Sequence, residues 1–145
     1  MDSYTNKTIT LFVQIFYSKS TVMDKLSNQI ANHVKQVFFG GNWTGVDFSS
    51  VLKDVDVEIA TTKVKDLNSI ALLVFHVDYY IDVTIKVLEG GALDAHDKFS
   101  FDLKENFCEK DWNDLKNEFL ENSQKFIYHI EQMNDKKLEI GRAHV

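Results

Sequence analysis

The 145-residue sequence contains no proline and a single cysteine, Cys108. Without proline no helix can be interrupted by a missing N–H, so helix ends must be read from glycines and capping residues. One cysteine can form no internal disulfide, which is compatible with a reducing compartment. Lys and Arg form no cluster and the formal net charge is -6. A protein that neutralises phosphates needs a basic face, so nucleic acid is not an expected partner. The N-terminal apolar stretch, residues 9–17 (ITLFVQIFY), is too short to span a bilayer and is followed by no small-residue cleavage site. Neither a membrane span nor a signal peptide is expected, and the expected location is cytoplasmic. Internal repeats and low-complexity tracts are absent as well.

What is present is an ordinary globular composition, 44% apolar and 26% charged, in a chain long enough for one domain with a sizeable core. From Met23 the apolar positions Leu26, Ile30, Val34, Val37 and Phe38 recur at helical spacing up to Gly40-Gly41, which can close a helix in a left-handed conformation. Residues 42–45 (NWTG) read as a turn, and Asp47 can cap a short helix carrying Phe48, Val51, Leu52 and Val55. Residues 56–66 read as turn. Over residues 68–89 one apolar stripe (Ile70, Val74, Val77, Ile81, Ile85, Leu88) lies beside another (Leu73, Tyr80, Val83, Val87), and only Asp78, Asp82 and Lys86 form a charged strip. A helix apolar around most of its girth needs cover on several sides, so this one is expected at the centre of a bundle. Gly90-Gly91 ends it. A long polar loop, 92–108, precedes a last helix marked by Trp112, Leu115, Phe119, Phe126, Ile130 and Met133.

The ends of the chain look foreign to this pattern. Met23 offers a second start, so residues 1–22 are read as a non-native N-terminal extension and residues 23–138 as the domain. Residues 139–145 (EIGRAHV) back-translate without strain as GAG ATC GGA AGA GCA CAC GTC, which looks like a sequencing adapter read in frame. His144 is therefore not recruited into any site.

Among the histidines, His76 shares a helix face with Leu73, Tyr80 and Val83, so its imidazole is expected in apolar surroundings. From this pattern alone a satisfied core histidine is the better reading, because one imidazole does not make a metal site. His33, His96 and His129 sit on different elements, and no H-x-x-x-H or H-x-x-E-H occurs. His96, in the polar stretch Asp94-Ala95-His96-Asp97, and Tyr80 are candidates for a pocket rim. Cys108 precedes a helix start but has no base within sequence reach, and Tyr79, Tyr80, Trp43 and Trp112 are expected as core or pocket-wall aromatics. No Gly-rich phosphate loop and no G-x-S-x-G is present. No catalytic residue is assigned.

The run from Asn68 to Tyr80 (NSIALLVFHVDYY), continuing through VLEGG at 87–91 to LDAHDKFSFD at 93–102, resembles the DinB-like family of metalloenzymes. NWTG at 42–45 and Asp111-Trp112 fit the same pattern, and the likeness covers about residues 23–138. It implies an all-α fold, a four-helix bundle of up-down type whose fourth helix is missing here. It further implies a divalent metal, zinc or nickel, held by one histidine of the second long helix and by two of an H-x-x-x-H on the fourth. His76 matches the first of these by its place in Ile70-Ala71-x-x-x-x-His76, which reverses the reading from pattern alone; nothing after Leu138 supplies the other two.

Family members include thiol-dependent S-transferases and a thiol-dependent isomerase. The implied activity of an intact protein is therefore a metal-dependent transferase or hydrolase-like reaction on a small-molecule substrate, using a low-molecular-weight thiol. A coordinated thiol or water is acidified by the metal, which makes it a nucleophile. This chain, with one ligand of three, is expected to bind metal weakly and to be inactive. The alternative is a non-enzymatic bundle that binds a small ligand or a protein partner, with His76 as a core residue. A homodimer remains open under either reading.

Overall fold

The computed structural model describes residues 25–138, and all elements found there are helices. The extension read at 1–22 and the adapter-like tail at 139–145 lie outside the described residues. Three long helices carry the fold: α1 (Leu26–Phe39), α4 (Ile70–Leu88) and α6 (Glu109–Glu131). Between them lie α2 (Phe48–Lys53), α3 (Val57–Thr61) and α5 (Asp97–Ser100), and α7 (Asp135–Leu138) follows α6.

Capping explains most of the boundaries. Asp47 accepts hydrogen bonds from the Ser50 N–H at 2.9 Å and the Ser50 hydroxyl at 2.7 Å, starting α2 as expected. These donors, the backbone N–H first, hold the Asp47 carboxyl below the usual carboxylate range. Asp56 does the same for α3, accepting from the Ile59 N–H at 2.8 Å, so part of the segment read as turn at 56–66 is helical. Ser69 caps α4 through Leu72. The first N–H groups of α1 are capped from far along the chain: Asp135 accepts from Leu26 at 2.9 Å and from Ser27 at 3.1 Å.

The end of α4 is a Schellman closure. The Gly90 N–H donates to the Val87 carbonyl at 3.0 Å and the Gly91 N–H to the Lys86 carbonyl at 2.8 Å, with Gly90 at φ +96°. Gly91 is required for a different reason. A Cβ there would stand 2.8 Å from the Lys86 carbonyl oxygen.

Packing departs from the sequence reading in three ways. First, α6 contacts both α1 and α4, so the last long helix, not the apolar α4, holds the middle position among the described residues. Its buried face (Trp112, Leu115, Phe119, Ile127, Ile130) is wide enough to serve two neighbours, because Asn122 and Ser123 are buried between those apolar residues.

Second, α4 and α6 run parallel rather than alternating in direction as an up-down bundle would. Phe75 lies with Leu115 and Glu118, Asp78 with Asn122, and Glu89 with His129, so both chains rise together. The crossover at residues 89–108 is what allows it, and its course includes α5 where only loop was expected. Third, the charged strip of α4 is not a solvent face: Asp78 is buried, and only Asp82 and Lys86 remain as an exposed i, i+4 pair at 2.5 Å.

The larger of two buried apolar clusters is the one in which Phe38 stacks on Phe48 and meets Phe119 edge-on, and the smaller joins Ala31 of α1 to Ile127 and Ile130 of α6. Trp112 belongs to the larger and donates from Nε1 to the Val55 carbonyl at 2.7 Å. Trp43 does not: it is 95% exposed, held out by a turn in which Asn42 bonds Thr44, Gln36 and Val46. The turn at 42–45 is as expected, while the packed role expected for Trp43 is wrong, because this Asn-centred turn spends its polar groups on the backbone and turns the indole outward.

Candidate functional site

His76, Tyr79 and Tyr80 lie on successive turns of the α4 face that the 94–101 segment covers. Three contacts tie that segment down. The Tyr79 hydroxyl accepts from the His96 N–H at 2.9 Å, and the Tyr80 hydroxyl donates to Asp97 Oδ1 at 3.0 Å. The His76 Nδ1 lies 2.8 Å from Ser100 Oγ, and that hydroxyl is itself 2.7 Å from the Asp97 carbonyl oxygen. Ser100 is fully buried at the last position of α5.

The imidazole of His76 is half-buried rather than enclosed. Phe101 stacks on one face with ring centres 4.3 Å apart and 25° between planes, and Tyr80 meets it edge-on at 5.1 Å. No hydrogen-bond partner for Nε2 is found among the described residues. The bond to the Asp97 carboxylate, with the adjacent negative charge and partial desolvation, raises the pKa of the Tyr80 hydroxyl, since ionisation would remove its donated proton.

The structure brings two of the three expected site residues, His76 and Tyr80, into contact. The third, His96, is close by in the chain of contacts but faces away: its Nε2 pairs with Asp94 at 3.1 Å, its ring lies against Phe99, and it is largely exposed. His33 is exposed on α1, and His129 pairs with Glu89 at 3.3 Å. Cys108 is exposed. A polar surface cavity of about 430 Å³, lined by Asp54, Asp56, Glu58, Glu109 and Lys116 among others, does not include His76.

Ser100, Phe101 and Asp97 were not singled out by the sequence. A serine within a polar loop carries no signal of burial, and the short helix that points it at His76 is only four residues long.

No three His, Cys, Asp or Glu side chains among the described residues converge to hold a metal ion. His76 alone does not fit a catalytic metal, which needs about three protein ligands. No family model matches the chain, and no curated protein or solved structure matches it. No helix of the described residues is long and apolar enough to cross a membrane.

Proposed function

We propose that this chain is part of a DinB-like, divalent-metal-binding enzyme, with His76 as one imidazole ligand and two further histidines supplied by sequence not present here. The observation that supports this reading is the state of His76. Its ring is clamped by Phe101 and Tyr80, one nitrogen is engaged by Ser100, and no partner for the other is found among the described residues. A histidine kept only for packing gains from satisfying both nitrogens, whereas a ligand keeps one for the ion while a neighbour orients the ring.

On this reading the metal is zinc or nickel, the cosubstrate a low-molecular-weight thiol and the reaction a group transfer to or from a small molecule. The metal would supply acidification of a bound thiol or water. Tyr80 and Phe101 orient the imidazole, and the 94–101 segment shields one side of it from water.

The second reading, a non-enzymatic bundle that binds a small ligand or partner, is favoured by the absence of convergent ligands among the described residues. The two separate cleanly. Reading the native gene past the codon for Leu138, from a library made without that adapter, is expected to reveal a helix carrying H-x-x-x-H. Zinc and nickel titrations should then show stoichiometric binding in the extended protein, lost on His76→Ala, and weak binding in the 145-residue chain. Tight stoichiometric binding by this chain itself, or a downstream sequence without the paired histidines, overturns the proposal.

A further inference from the structure

We infer that Ser100 is a positioning residue that sets the tautomer of His76, placing the imidazole proton on Nδ1 and the ring's lone pair on Nε2.

The argument is one of proton counting. A serine hydroxyl has one proton. Ser100 Oγ lies 2.7 Å from the Asp97 carbonyl oxygen and 2.8 Å from His76 Nδ1. A carbonyl oxygen can only accept, so the hydroxyl proton belongs to the bond with Asp97, and the bond to His76 must be donated by Nδ1–H. The reverse assignment would leave the hydroxyl and carbonyl oxygens facing each other without a proton. With Ser100 at 0% exposure, no water is at hand to relieve that repulsion. The Asp97 carboxylate oxygen, 3.5 Å from Ser100 Oγ, pushes in the same direction, since it too presents only lone pairs.

Asp97 is in turn held by the Tyr80 hydroxyl at 3.0 Å, so the acceptor that takes the serine proton is anchored to the same helix that carries His76. The relay is closed: α4 holds Asp97 through Tyr80, Asp97 fixes the Ser100 proton, and Ser100 fixes the His76 proton. Sequence alone could not show it, because Ser100 lies 24 residues from His76.

This deepens the proposed site, since a neutral imidazole presenting Nε2 is the form that coordinates a borderline divalent cation. The tautomer itself does not depend on any metal.

The experiment is a long-range proton–nitrogen correlation spectrum of the ¹⁵N-labelled, metal-free full chain in mildly alkaline solution, where the two ring nitrogens report protonated or unprotonated character directly. In the wild type, His76 is expected to show protonated Nδ1 and unprotonated Nε2. Ser100→Ala is expected to move the proton towards Nε2, while Ser100→Thr, which keeps the hydroxyl, retains the wild-type pattern. A protonated Nε2 in the wild type overturns the inference whether or not the variants fold, as does an unchanged tautomer in a folded Ser100→Ala. A failed metal titration, by contrast, counts against the proposed function and leaves this relay standing.

Discussion

Asn122 donates from Nδ2 to Asp78 Oδ1 at 3.0 Å, and both side chains are buried where α4 meets α6. Burial raises the Asp78 pKa from the ordinary 3.8 to about 6; the Asn122 donor opposes the shift, and the charges of Glu118 and Asp82 add to it.

Because the folded-state value is raised, the protonated form is the one folding favours. Below the ordinary value Asp78 is neutral in both states and costs nothing. As pH rises through the interval from 3.8 to about 6, its contribution falls, and above that interval the whole penalty remains. Asp78→Asn is therefore expected to stabilise the protein near neutrality by up to about 3 kcal/mol, with the gain vanishing towards pH 4. Urea unfolding of both proteins across this range checks it; a pH-independent difference between them would refute the assignment.

The two tryptophans should separate spectroscopically. Trp112 is 1% exposed and Trp43 is 95% exposed. Acrylamide is expected to quench mainly Trp43, and Trp43→Phe should leave a blue-shifted, poorly quenched emission at almost unchanged stability. Trp112→Ala, which empties a core site and strips the Val55 carbonyl of its donor, should cost about 3–5 kcal/mol.

Gly91→Ala should destabilise by about 1–3 kcal/mol, because its Cβ would meet the Lys86 carbonyl oxygen that Gly91 N–H now closes upon. The loss of protection is expected in the last turn of α4, read by amide hydrogen exchange at Glu89 and Gly90. Uniform loss across α6 would contradict this placement.

Leu73 is 47% exposed, and Val87 and Tyr80 are each 36% exposed along α4, while Ile30 and Val37 are similarly open on α1. Such a set of apolar residues left in water favours association. Sedimentation velocity is expected to show concentration-dependent self-association, reduced in the double variant Leu73→Lys, Val87→Lys. A wild-type protein that stays monomeric over the accessible concentration range would contradict the prediction.

What the sequence determined by itself was local. Apolar spacing near 3.6 residues, with Gly40-Gly41, Asp47 and Gly90-Gly91 as punctuation, placed the three long helices and the short α2, because these signals depend on residues only a few positions apart. The cap of α3 was equally legible in Asp56, but a five-residue helix carries too short a periodicity to stand out from a turn. Tertiary structure alone decided the parallel course of α4 and α6, the central place of α6 and the burial of Asp78. It also decided the pairing of His76 with Ser100. A carboxylate at spacing four from Asp82 looks like a solvent face until Asn122, 44 residues away, is brought against it, and a serine in a polar loop looks solvated until a crossover folds it onto an imidazole. Long-range partners set burial and protonation, and no local pattern encodes which distant residue will arrive.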